Sequence, residues 1–284
     1  MKITLRASLI LIVLSVMGGP LLAPSVARAQ GAPMPGMPGM GDKKPPSSTP
    51  SPLPNLSQDR TGWPSPVDDD MKRSFMLVDL LEFQRTRNGP NAARWDFMGW
   101  RGGDYHRLWF KTEGRQNLSG KGEGFDAQLL YGKLLTPFFD AQLGLRYDQR
   151  TVGGRNRSRV LAVLGVQGLA PYRFDIEPTL FLSQDGQISA RFTGTYDVLL
   201  SQRLILQPRF EAEAALQRRE ELGIGSGLNN MELGFRLRYE IRRDLAPYVG
   251  VTCERSFGGS AGFLRREGSA IRRSSVVGGV RLWF

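Results

Sequence analysis

From Ser74 to its C-terminus this chain alternates apolar and polar residues with a period of two, in short runs separated by turn-forming residues. In Met231–Ile241, the residues Met231, Leu233, Phe235, Leu237, Tyr239 and Ile241 share one face. Glu232, Gly234, Arg236, Arg238 and Glu240 share the other. Phe139–Asp148 and Leu204–Leu216 repeat the pattern. Successive side chains of a strand point to opposite faces, so this period predicts strands with one apolar and one polar side. About twelve such runs occur, each close to the ten or so residues that a tilted strand needs to cross a bilayer. They centre on Phe75–Glu82, Arg94–Arg101, His106–Asn117, Glu123–Lys133, Phe138–Gln149, Arg159–Leu169, Arg173–Leu182, Ile188–Leu199, Leu204–Leu216, Asn229–Glu240, Ala246–Arg255 and Ser275–Phe284.

The connections alternate in length. Short ones hold Gly102–Tyr105, Leu134–Pro137, Ala170–Tyr172, Leu200–Arg203 and Arg242–Leu245; longer ones hold Phe83–Ala93, Arg150–Ser158, Gln217–Leu228 and Ser256–Ser274. Leu118–Gly122 and Gln184–Gln187 are short but fall in the long phase. Short turns at one end and longer loops at the other are the pattern of an up-and-down membrane barrel. The last strand runs to Phe284 itself, with Val276, Gly278, Val280 and Leu282 on the same face. Such a strand closes the barrel against the first one, because lipid tolerates no open edge. A C-terminal Phe on it resembles the insertion signal of bacterial outer-membrane proteins. Trp95, Trp100, Trp109, Tyr131, Tyr147, Tyr239 and Trp283 lie near strand ends, where interface girdles are expected. The rival is a soluble sandwich or lipocalin-like barrel with its apolar face inward. About twelve strands enclose too wide a space for apolar side chains to fill, which favours the membrane reading.

The segment ahead of the strands reads as an address and a tether. Lys2 and Arg6 precede a short apolar core, Leu9–Met17, and Ala27-Arg28-Ala29 is an A-x-A cleavage site, so residues 1–29 are expected to be a signal peptide. The export this implies goes with a single Cys, so no disulfide framework is available, and a single His leaves no His-cluster metal site. The net charge of +11 includes three leader cations, Lys2, Arg6 and Arg28. On an exported chain the remaining excess points to anionic surfaces such as lipid headgroups, and not to nucleic acid. Residues 30–70 are dense in Pro, Gly, Ser and Met and are expected to be a disordered periplasmic segment, with the barrel over 71–284.

Met34, Met37 and Met40 recur at every third residue in that segment. Thioethers are soft and select Cu(I) over hard cations, and a polyproline-like turn sets all three on one side. A linker that happens to contain Met is the plainer reading. Met71, Met76 and Met98 either extend a thioether path near the periplasmic mouth or simply pack. On the polar face stand Glu113, Asp140, Asp148, Asp175, Glu177, Asp197, Glu211, Glu213, Glu232, Glu240 and Glu254, opposed by Lys111, Arg115, Arg146, Arg191, Arg209, Arg236, Arg238 and Arg281. An arginine accompanies the acids on most strands, so a salt-bridged wall is expected over an acidic cation path. His106 at a strand start reads as an interface residue more readily than a ligand, and Cys253 alternates with Val249 and Val251 toward lipid. Gly223-Ile224-Gly225-Ser226-Gly227 lacks the following helix that phosphate binding requires. The basic loops carry Arg150, Arg155, Arg157 and Arg159, then Arg218 and Arg219, then Arg265, Arg266, Arg272 and Arg273; if external they suit phosphorylated lipopolysaccharide sugars, and a charged, solvated loop is the equal alternative.

Several blocks resemble the copper resistance protein B family, outer-membrane copper-tolerance proteins of Gram-negative bacteria. They are Met76–Glu82, Trp95-Asp96 through Gly99–Tyr105 into Arg107–Gly114, Gly168–Tyr172, Leu200–Arg209, Gly223–Leu228, and Arg236–Arg243 through Ala246–Val251. The resemblance covers nearly all of 70–284. It implies an outer-membrane β-barrel that binds copper or passes it outward, and a periplasmic multicopper oxidase as partner. Family members often carry repeated Met/His/Asp segments in the tail; here only Met34, Met37 and Met40 stand there, without His. Two other classes are alternatives: a general porin-like or structural barrel without metal specificity, and an outer-membrane hydrolase or acyltransferase, for which the single His106 is poor material.

Overall fold

Each alternating run forms a strand hydrogen-bonded to its sequence neighbour. In the computed structural model the described residues are 71–284, apart from 88, 120–123 and 153–154. The expected leader and the segment bearing Met34, Met37 and Met40 lie outside them. The strands are β1 Arg73–Thr86, β2 Ala92–Gly102, β3 His106–Asn117, β4 Gly124–Thr136, β5 Phe139–Val152, β6 Arg155–Ala170, β7 Phe174–Ser183, β8 Ile188–Tyr196, β9 Val198–Leu199, β10 Leu204–Ala215, β11 Gly227–Tyr239, β12 Leu245–Ser256 and β13 Arg272–Trp283. Both β8 and β9 pair with β10, and only Asp197 separates them, so they form one wall strand and the wall has twelve.

All pairings are antiparallel and the ring is closed. β13 pairs with β1 from Leu77↔Trp283 to Thr86↔Ser275. The terminal residue joins the ladder: Phe284 N donates to Met76 O at 2.8 Å and Met76 N donates to Phe284 O at 3.0 Å. No strand edge is left for hydrocarbon to meet, which is the condition for a sheet inside a bilayer.

The two faces are inverted relative to a water-soluble protein. Leu143, Leu164, Val249 and Val276 are each more than half exposed, at 60%, 56%, 63% and 61%. Glu82, Arg146, Asp148 and Arg236 are at most 3% exposed. Only hydrocarbon accounts for an outer band of this kind around a polar interior, so the fold is a transmembrane up-and-down barrel. One apolar cluster does face inward: Trp109, Leu130, Leu161, Val163 and Phe181 on neighbouring strands, with Met98 and Trp100 against it. Trp109 lies over Gly132, where a Cβ would stand 2.5 Å from the indole nitrogen. Here glycine is required by close approach.

Four features differ from the sequence reading. Arg150–Ser158 is not a long loop, because β5 runs to Val152 and β6 starts at Arg155, paired with it, and Arg150, Arg159 and Arg273 therefore sit on strands lining the lumen and not in external loops. The Phe83–Ala93 loop likewise shrinks to 87–91. The Ser256–Ser274 loop folds a helix, α1, over Gly258–Arg266. Trp100 and Trp109 are not girdle residues. Strand parity puts them in the lumen, their rings 6.2 Å apart and tilted by 47°, whereas Tyr131, Tyr147 and Tyr239 are exposed outside.

An arginine on the outer band should be costly. Leu145→Arg near the middle of β5 is expected to destabilise the barrel by about 2–4 kcal/mol, read as a lower urea midpoint in lipid vesicles. An unchanged midpoint would mean this face does not meet hydrocarbon.

Candidate functional site

The lumen is the only place where the fold gathers chemistry among the described residues, and ion pairs spanning it dominate. A parity change in β1 prepares them. Leu77 and Asp79 point inward, the register shifts between Val78 and Leu81, and thereafter Glu82, Gln84 and Thr86 point inward while Leu81 and Phe83 are exposed. In β2, Arg94, Asp96 and Met98 face the same space.

The central layer is bridged from distant strands. Arg94 donates from one Nη to Glu232 at 2.6 Å and from the other to Glu211 at 3.1 Å. Arg209 of β10 reaches back to Asp96 at 3.1 Å and Asp79 at 3.3 Å. β2 and β10 lie five places apart around a ring in which six is opposite. Arg236 holds Glu82 with two donors at 3.0 Å, and Tyr248 Oη donates to the same carboxylate at 3.0 Å. Gln84 donates to it as well, at 2.8 Å. This knot is fully buried, with side-chain exposures of 1% and 0% for Arg236 and Glu82.

Toward the loop end, Arg146 pairs with Asp126 at 2.9 Å, Arg159 with Asp148 at 2.6 Å, and Arg115 with Glu254 at 2.8 Å. Arg191 pairs with Glu113 and, at 2.8 Å, with Glu213. Toward the turn end, Lys111 binds Glu177 at 2.7 Å, Arg281 binds Asp79 at 2.9 Å, and Arg238 binds Asp197 at 2.8 Å. Each pair offsets the desolvation that an isolated charge would suffer behind a low-dielectric wall. Two cavities accompany this network. One of about 220 Å³ lies at the loop end and one of about 100 Å³ toward the turn end.

The alternation therefore placed the lumen charges correctly, and the arrangement is a salt-bridged network. Asp140 pairs with Arg107 at 2.8 Å, Glu240 stands 3.9 Å from Arg238, and Asp175 lines the turn-end cavity. Asp79, Glu82, Arg94, Asp96, Arg107 and Asp126 belong to the network but were not singled out from sequence. In β2 the signal was present as Arg94, Asp96 and Met98 at every second position. In β1 the parity change hid it. The methionines separate: Met98 lines the turn-end cavity, Met76 packs beside Gly99 on the outside, and Met71 is exposed ahead of β1. His106 stacks on Tyr131 on the outer surface, its Nδ1 2.6 Å from the phenol oxygen. Cys253 lies 3.7 Å from Ser274 Oγ on that same outer face. Among the described residues no three His, Cys, Asp or Glu side chains converge as a metal ion would require.

Closed wall, inverted faces and paired interior define the class: a membrane-spanning β-barrel with a charge-bridged lumen. Comparison with known proteins sharpens this. The model of the family described as Copper resistance protein B precursor (CopB) matches residues 72–284, and the chain belongs to that family. It is 39% identical over 247 residues to Copper resistance protein B of Escherichia coli, covering 81% of each chain. It is 38% identical over 218 residues to the Copper resistance protein B homolog of Pseudomonas syringae pv. tomato, covering 77% of this chain and 72% of that one. Solved structures with a related outline include the NanC porin, with TM-score 0.47, 11% identity, and 73% of this chain and 98% of that one covered. The KdgM porin has TM-score 0.42 and 10% identity, covering 75% and 99%. At these scores neither likeness bears on function, and the barrel rests on its own strand pairing.

Two substitutions test the network. Glu82→Ala leaves a buried guanidinium and a phenol without their acceptor and is expected to cost about 3–5 kcal/mol, read as a lowered urea midpoint. Arg94→Ala removes a bridge across the lumen and is expected to raise single-channel conductance in planar bilayers. Conductance equal to that of the unaltered barrel would show that Arg94 does not obstruct the lumen.

Proposed function

We propose that this chain is an outer-membrane copper-resistance protein of a Gram-negative bacterium that binds copper, sequestering it or assisting its exit from the periplasm. The observation that carries the reading is the family match along the entire barrel, 72–284, with relatives named for copper resistance. In this reading the turn end faces the periplasm, because β1 begins there and residues 30–70 lead into it from an exported N-terminus. Cu(I) is the ion, held by the thioethers of Met34, Met37 and Met40, which are soft ligands that discriminate against the hard cations of the periplasm. Met98 in the turn-end cavity adds a soft group just inside the mouth that the ion would meet first.

The barrel acts without catalysis in this reading. Its single histidine is engaged with Tyr131 on the outer surface, away from the lumen carboxylates. Bridges such as Arg94 to Glu232 and Arg209 to Asp96 oppose free diffusion through a general pore. A periplasmic multicopper oxidase is a fitting partner for an ion-delivering tail. Outward-facing leucines and valines meet the lipid, and the arginines of the loop end meet lipopolysaccharide phosphates.

Replacing Met34, Met37 and Met40 together by Ser tests the tail. Copper titration of the purified full chain is expected to lose at least one bound Cu(I) per molecule, and cells carrying the variant are expected to tolerate less copper. Unchanged stoichiometry together with unchanged tolerance would remove the tail from the mechanism.

A further inference from the structure

The loop-end cavity has a chemistry that copper resistance does not use. Its wall presents five arginines, Arg146, Arg150, Arg159, Arg191 and Arg273, against two carboxylates, Glu213 and Glu254. Further acids of the network stand behind this wall and hold the guanidinium groups in place. Asp148 serves three of them at once, at 2.6 Å from Arg159, 3.6 Å from Arg150 and 3.8 Å from Arg146. One carboxylate thus serves three guanidinium groups, and Arg146 also pairs with Asp126 at 2.9 Å. Arg146 Nε is buried without a hydrogen-bond partner, and the whole side chain is only 4% exposed. Arg150 stands 3.6 Å from Asp148 through Nε, the long side of an ion pair, and its guanidinium lines the cavity.

The cavity is also covered. Helix α1 supplies Ser260 and Leu264 to its lining, and the segment after β10 supplies Gly223 and Ile224. The two lie against each other through Gly225, whose N–H donates to Ser260 Oγ at 2.8 Å, and Ser260 Oγ donates to Asn229 at 2.9 Å. A Cβ on Gly225 would stand 2.6 Å from the Ser260 backbone nitrogen, so glycine permits this seal. The result is a partly covered cavity of about 220 Å³ walled by guanidinium groups, with Arg146 Nε as a buried donor lacking a partner. Guanidinium forks match the paired oxygens of phosphate and carboxylate groups. The volume lies below the roughly 300 Å³ where drug-sized ligand pockets begin, which limits the occupant to a small ion or one sugar-sized group.

We infer that the loop end of the barrel is a binding site for a small oxyanion, a phosphate group foremost, seated among Arg146, Arg150 and Arg159 beneath helix α1. The group comes from solution or from a phosphorylated sugar of the surrounding surface. The site lies at the end of the lumen away from the cavity that Met98 lines.

The test is a calorimetric titration of the full chain in a maltoside detergent, which carries no phosphate. One arm uses inorganic phosphate and the other glucose 1-phosphate. Saturable binding of at least one ligand is expected, about tenfold weaker in Arg150→Gln, as loss of a charged hydrogen-bond donor implies. Asp148 keeps Arg159 and Arg146 as partners in this variant, so the barrel should be retained, checked by circular dichroism. Arg155→Gln with Arg157→Gln, on the exposed start of β6, should bind as the unaltered chain does. Tighter binding of the sugar phosphate identifies a surface glycan as the source, and equal binding identifies the free ion. Absence of saturable binding in both arms, or binding that Arg150→Gln leaves unchanged, overturns the assignment.

Discussion

A bilayer core offers no hydrogen-bond partner, so every backbone N–H and C=O inside it must be satisfied by the chain itself. A sheet meets that demand only by closing. The pair of hydrogen bonds between Phe284 and Met76 shows how far the constraint reaches, since the last residue of the chain is used to complete the seam. Closure then fixes the rest. Twelve strands in a ring present one face to hydrocarbon and enclose a space too wide for apolar side chains to fill. The interior must be bridged by long polar side chains or left to water. This chain bridges it with arginine, whose length and forked donors let one residue hold carboxylates on several strands, as Arg209 does with Asp79, Asp96 and Glu211.

A lumen built this way gains shape more than stability. Buried ion pairs repay their desolvation only where geometry is good, so their presence is no argument for a robust fold, but losing one partner is severe. The Glu82–Arg236–Tyr248 knot ties β1 to β11 and β12 across the closing seam. Gly279 lies beside it, where a Cβ would come within 2.7 Å of Tyr248 Oη. Sequence, seam and interior charge are thus coupled at one place. The knot keeps the lumen from splaying next to the strand pair that closes last in the chain.

Much of this was legible in the sequence because a period of two survives any strand tilt or ring size. The strand centres, the closing role of Val276–Phe284 and the inward placement of Glu113, Arg191, Arg236 and Arg238 all follow from parity. Parity fails where the backbone does. The register shift between Val78 and Leu81 moves Glu82 and Gln84 onto the opposite count from Asp79, and no local composition announces it. Trp100 and Trp109 were misread for the converse reason, since nearness to a strand end was weighed above the face that their position dictates. Helix α1 escaped notice because Gly258, Gly259 and Gly262 are poor helix formers. What stabilises it is tertiary, the Gly225–Ser260–Asn229 chain of hydrogen bonds. The partners of each charge were beyond reach for the same reason: which arginine meets which acid depends on the stagger between strands far apart in sequence.

The two ends of the lumen have acquired different characters from one network. Toward the turn end, Asp79, Asp96, Asp175 and Glu177 share the cavity with Met98, and the cations there are engaged: Lys111 with Glu177, Arg281 with Asp79. Toward the loop end, guanidinium groups outnumber the carboxylates on the cavity wall, and helix α1 lines one side of it. A positive ion entering at the turn end would therefore move up an electrostatic gradient as it approached the opposite mouth. In a site walled by low-dielectric material such a barrier acts at short range and is weakly screened. The charge layout favours retention of a bare cation near the turn end over its passage through the lumen. The arginine-rich cavity at the far mouth is the part of the lumen whose chemistry suits an anion.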